Sequence, residues 1–141
     1  MPETSKSSPW AASHAPSLED FEALAEATFA KLPAEFRALC EGVIIQVVDF
    51  PDEETLEQME AESEFDLLGL FRGRGLAHRG AVEETGALPN MVWLYRRPLL
   101  DFWCEGEDTL GAVVAHVLVH EIGHHFGLAD DDMEAIEASA E

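Results

Sequence analysis

Residues 109–127, TLGAVVAHVLVHEIGHHFG, constrain this chain more than any other stretch. From Leu110 to Val119 every residue is apolar except His116. A helix that is apolar on most sides has to be enclosed by other elements, so the fold must be built around it. Asp108 or Thr109 can cap its start. Gly127 supplies the left-handed backbone that ends a helix sharply. The run is far too short to span a bilayer.

Polar residues inside such a helix need a reason, because burying them unpaired is costly. His120, Glu121 and His124 form H-E-x-x-H. Residues i and i+4 share one helix face, so both imidazoles can reach one metal ion. Glu121 is rotated by about 100° from His120. It flanks the ion and can take a proton from metal-bound water. Asp130 follows Gly127 by three residues, close enough for the reversed chain to return a third oxygen ligand. Asp131 and Asp132 compete for that place. Spacing favours Asp130, and the other two suit the start of a final helix or a hydrogen bond to a ligand histidine. His116 lies one turn before His120, but about 11 Å along the axis from His124, so one ion cannot take all three. It reads as a hydrogen-bonded neighbour. His125 points away from His124 and reads as a packed residue or a support to the site.

The remaining elements supply the enclosure. Residues 1–16 read as a flexible tail and 17–141 as one domain. Ser17, three before Asp20, opens an amphipathic helix over about 18–31. Pro33 opens a short second helix that Gly42 closes. VIIQVVDF (43–50) reads as a buried strand. A solvated acidic helix follows over about 52–62, then a strand over 67–73. Residues 72–90 are Gly-rich, carry Arg72, Arg74 and Arg79, and read as a long mobile loop. MVWLYRR (91–97) is a third strand, ended by Pro98, with a helical turn after it. A last acidic helix is expected over about 131–139. This order of elements argues for an α+β fold, a small mixed sheet packed against the buried helix and further helices. The lone tyrosine, Tyr95, falls on the third strand. It is a candidate oxyanion stabiliser, set against the ordinary packing role of a strand tyrosine.

Charge limits the partners. The 29 acidic residues outnumber the 8 basic ones, for a net charge of -21. Such a surface repels phosphate backbones and anionic lipids, so neither nucleic acid nor a membrane is an expected partner. It favours basic partners, and a nucleic-acid mimic is a minor alternative. At 47% apolar residues the chain can still build a core. Cys40 and Cys104 form no C-x-x-C pair and read as two reduced, buried thiols of a cytoplasmic protein. The N-terminus has no apolar core of a secretory signal.

The extended pattern H-E-x-x-H-x-x-G-x-x-D resembles the metzincin branch of zinc peptidases, with aspartate in place of the third histidine. The wider string HVLVHEIGHHFGLADDDM, preceded by LYRRPLLD, more closely resembles a family of small bacterial zincin-like minimal metallopeptidases. The resemblance covers roughly residues 18–138. It implies a compact zincin-like fold, one Zn²⁺ per chain held by His120, His124 and Asp130, and Glu121 as the base. Two departures matter. Met133 lies three positions after Asp130, too close for the methionine turn of a metzincin. Glu134 and Glu137 follow His124 too closely for the glutamate ligand of a gluzincin and are expected not to bind the ion. The expected function is zinc-dependent hydrolysis of a peptide or protein, laid along an exposed strand edge at 91–96. The alternative is a catalytically silent zinc-binding or acidic interaction protein on the same scaffold.

Overall fold

The computed structural model describes residues 8–73 and 90–139. Most of the long loop expected at 72–90, with Arg74, His78 and Arg79, lies outside the described residues, as do residues 1–7. Among the described residues, six helices and three strands follow in the order α1 (Leu18–Ala30), α2 (Ala34–Leu39), β1 (Ile44–Val48), α3 (Glu53–Gln58), β2 (Gly69–Arg72), β3 (Met91–Tyr95), α4 (Arg96–Glu105), α5 (Leu110–His125) and α6 (Asp130–Ser139). This is the expected α+β architecture.

The strands form one mixed sheet in the order β1-β3-β2. β1 runs parallel to β3 and β2 antiparallel to it. β3 is therefore the central strand, paired along both sides. This corrects the expectation that 91–96 offers an open edge. Among the described residues, the edges are β1 and β2. The physical reason is the composition of β3, whose Val92 and Leu94 are fully buried on one face. Burial on that scale suits a central strand.

α5 packs on β2, β3, α1, α4 and α6, as its apolar run requires. Val114, Leu118 and Ile122 recur every four residues along it, and none has exposed surface. They meet Phe21 and Ala25 of α1, Val92 and Leu94 of β3, Leu99 of α4 and Met133 of α6 in one core. Fully burying side chains of this size stabilises the fold by about 1.5–3 kcal/mol each. At Gly69 the packing is close: a Cβ there would stand 2.7 Å from Val117 and 2.8 Å from the Trp93 carbonyl. Glycine lets β2 cross α5 at that distance.

Local signals fix the ends. Ser17 accepts a hydrogen bond from the Asp20 N–H at 3.1 Å, and Asp20 accepts one from the Ser17 N–H at 2.9 Å. This reciprocal cap starts α1 where expected. Residue 16, the end of the expected flexible tail, is held: Arg96 Nε donates to the Pro16 carbonyl at 2.7 Å. α3 is shorter than expected. Asp52 caps it, but only Thr55 is buried, and Glu60 turns left-handed at φ 56° soon after it ends. A helix with so little apolar surface has nothing to hold further turns in place. α4 is longer than the expected turn, because Pro98 sits in its first turn, where a missing N–H costs no intrahelical bond. Arg96 Nη1 also pairs with Asp49 at 2.9 Å, fastening α4 beside β1. Cys40 is buried as expected, but Cys104 is exposed. It lies near the end of α4, away from that helix's buried Pro98 and Leu99. Among the described residues, no helix is long and apolar enough to cross a membrane.

Candidate metal centre

α5 carries its polar residues as a stripe on the side away from Leu118. His116, His120 and His124 stand one turn apart, with ring centroids 4.0 Å and 5.7 Å between successive pairs. Two caps set the position of this stripe. At the start, Thr109 accepts from the Ala112 N–H at 3.1 Å. At the end, Gly127 turns at φ 78°. The Leu128 N–H then donates back to the Gly123 carbonyl at 2.9 Å, and the Gly127 N–H to the His124 carbonyl at 3.1 Å. This pair of bonds is a Schellman closure, and it satisfies carbonyls that the helix end would otherwise orphan.

The closure sends α6 back along α5. Met133 is fully buried against Gly123, where an added Cβ would lie 2.4 Å from its sulfur. One turn further along α6, Glu137 reaches His120 and His116, one and two turns earlier on α5. The two helices thus run in opposite senses, and α6 lays its carboxylates beside the histidines. Asp130 opens α6 and comes to 4.0 Å from His124, Oδ1 to Nε2, with both side chains largely exposed. Asp131 and Asp132 share the first turn of α6 and are exposed, in keeping with a helix start.

Glu137 is the residue that spacing alone discounted. Its carboxylate lies 2.8 Å from His120 Nε2 and 3.1 Å from His116 Nδ1. Among the described residues, His116, His120 and Glu137 bring their ligand atoms within 4.8 Å of one another. A sequence signal for this was present. Asp130 and Glu137 are seven residues apart, two turns on one helix face, and Met133 lies between them on the same side. Once Met133 is taken as the buried contact to α5, Glu137 must fall near the earlier histidines. His116 is thus hydrogen-bonded to Glu137 beside His120.

Glu121 occupies a different setting. It turns from the histidine stripe toward β2, where the Phe71 backbone N–H donates to its carboxylate. Burial raises its pKa above the ordinary carboxylate value, while nearby His124 and the Phe71 bond oppose the rise. His125 stacks on the Phe71 ring with centroids 3.9 Å apart and locks α5 to β2 beside Glu121. Tyr95 ends β3 with only 3% of its surface exposed. Burial pushes its hydroxyl up to about 12, and the Glu121 charge adds to the rise.

The donor types suit zinc, which takes imidazole nitrogen and carboxylate oxygen. Two bonds of about 2.1 Å at a tetrahedral angle place ligand atoms about 3.4 Å apart. The 4.0 Å between His124 and Asp130 is therefore close to a shared-ion separation. His120 would complete that set by turning its Nε2 from Glu137. Glu121, facing β2, is not needed as a ligand.

The zincin-like metallopeptidase family model matches residues 40–140, from the end of α2 through α6, which is 101 of the 141 residues. α1 lies outside the match, although it supplies part of the wall behind α5. No curated protein matches the chain. With its buried H-E-x-x-H helix and a match over most of its length, the chain belongs to the zincin-like metallopeptidase family, a family of zinc-dependent hydrolases.

Proposed function

We propose that the chain is a peptidase in which His120, His124 and Asp130 hold one zinc ion and Glu121 is the general base. The observation that carries this reading is the position of Glu121. It is a half-buried carboxylate with raised proton affinity, beside two histidines at metal-binding spacing. A structural zinc site has no use for such a group. When bound, zinc would supply Lewis acidity, acidifying water and polarising a substrate carbonyl.

The chain's own residues do the rest. Glu121 takes a proton from the attacking water and passes it to the leaving amine. Its raised pKa brings it closer to neutral pH, which helps both transfers. β2 is an edge strand among the described residues and adjoins Glu121, so it replaces β3 as the place where an extended peptide would add. Tyr95 is left out of the catalytic set, because a donor to a substrate oxygen has to meet the substrate and this side chain is enclosed.

The test is a peptide-library digest with zinc-loaded wild type and Glu121→Gln. Cleavage by wild type, reduced at least about 100-fold in the variant with zinc content unchanged, supports the reading. Equal cleavage by both proteins, or none by either, defeats it.

A further inference from the structure

The carboxylate of Glu137 already stands where a metal's partners would stand, on the opposite side of His120 from His124. We propose that His116, His120 and Glu137 form a second divalent-metal set, which shares His120 with the H-E-x-x-H set. The first part of this proposal stands on geometry alone. The second part, competition for His120, rests on the zinc reading given above.

His116 Nδ1 and His120 Nε2 both point at one carboxylate, at 3.1 Å and 2.8 Å. Their rings lie 4.0 Å apart with planes tilted by 32°, so the two nitrogens converge from one face of α5. All three ligand atoms fall within 4.8 Å of one another. Separations near 3.4 Å are what an ion with bonds of about 2.1 Å asks for, so small side-chain rotations would admit one. Two imidazoles and a carboxylate form the donor set that zinc and other borderline divalent ions accept. Binding needs each histidine to present a lone pair. The protons in the hydrogen bonds to Glu137 would pass to solvent as the ion enters. His116 is half exposed, which gives the ion an entry path.

Sharing sets the stoichiometry. His120 Nε2 has one lone pair and serves one ion at a time. An ion on the Glu137 side leaves His124 and Asp130 without their partner, and an ion on the Asp130 side frees Glu137. The chain would therefore hold one ion in either of two places. Only the Asp130 place adjoins the proposed base, so the Glu137 place would store the metal in a silent position.

The experiment uses the full chain carrying His124→Ala and Asp130→Ala together. This pair removes the H-E-x-x-H set and leaves the second set whole. Co²⁺ is titrated by its visible absorption, and Zn²⁺ by competition with a chromophoric chelator. Circular dichroism of each metal-free protein checks the fold. The proposal predicts one ion per chain in this double variant. Adding either His116→Ala or Glu137→Gln should weaken binding by about 100-fold or more. A folded double variant that binds neither metal overturns the proposal, as does unchanged affinity in both triple variants. Should the double variant unfold, His124→Ala alone replaces it: a Zn²⁺-induced shift of the His116 ring nitrogens in its NMR spectrum supports the second set, and unshifted nitrogens at saturation overturn it. The two readings fail separately. Metal bound by wild type but not by the double variant removes the second set and spares the first. One ion per chain in both proteins, bound with unchanged affinity, leaves the second set and removes the first, whereas one ion per chain bound more weakly by the double variant keeps both.

Discussion

Replacing Gly123 by alanine tests whether the contact between α5 and α6 is as close as the site geometry requires. Gly123 is buried in the last turns of α5, between His120 and His124. An alanine Cβ there would lie 2.4 Å from Met133 Sδ and 2.9 Å from Met133 Cγ. Met133 is fully buried and has little room to retreat. Two effects oppose each other. Alanine in a helix stabilises by about 0.8–1.0 kcal/mol relative to glycine. Overpacking a filled core costs about 1–3 kcal/mol. The net expectation is a loss of about 0–2 kcal/mol in the metal-free protein. Gly111 provides the control, since it lies on the same helix and a Cβ there meets nothing within 4 Å. Gly111→Ala should gain about 0.4–1 kcal/mol. Urea unfolding in the presence of chelator reads both values. The steric part also has a consequence for the site. Relief of the clash pushes α6 outward, carrying Asp130 from His124 and Glu137 from His120. Zinc affinity should therefore fall in Gly123→Ala and stay unchanged in Gly111→Ala. If Gly123→Ala stabilises as much as Gly111→Ala and binds zinc as wild type does, the close approach of the two helices is refuted.

Other outcomes follow from single groups. Burial raises the Glu121 pKa, so between the ordinary carboxylate value and the raised one the folded chain holds a proton that the unfolded chain has released. The metal-free protein should lose stability as pH rises through that window, and Glu121→Gln should flatten this slope in urea unfolding. Tyr95 is the only tyrosine, so ultraviolet titration reads it alone; the folded protein should ionise it at about 12, and ionisation near 10 while the fold persists would place its hydroxyl in solvent. Cys104 is exposed, while Cys40 is buried, donates to the Phe36 carbonyl at 3.4 Å and has its thiol pushed up to about 11. Ellman's reagent should therefore titrate one thiol in the native protein and two after unfolding.

The parts of the fold that were legible in the sequence are those decided by local chemistry. The Ser17 cap, the Thr109 cap and the Gly127 turn each depend on a few adjacent residues, and each falls where the residues put it. The buried helix was legible because an apolar run of that length has one stable outcome. Strand order was not legible. Whether β3 pairs on one side or both depends on β2, which reaches it from beyond an intervening stretch of chain. Pro98 misled for a related reason: proline stops a strand and also suits the first turn of a helix, and only the neighbours decide between them. In the candidate site, the alignment of His120 and His124 along one face of α5 was legible from spacing along one helix. The approach of Asp130 to His124 was legible because the Gly127 turn is short. Glu137 was missed because its distance to His120 is set by α6 lying back on α5, which the Met133 contact fixes and sequence separation conceals.

The central claim is that the histidine stripe of α5 binds zinc, and zinc content tests it most directly. Protein purified without chelator, then desalted, should carry about one zinc per chain by elemental analysis, and His120→Ala should carry almost none. His120 is decisive because both proposed donor sets use it. Wild type that holds no zinc and takes up none on addition of Zn²⁺ would contradict the account, as would a His120→Ala variant that holds as much zinc as wild type.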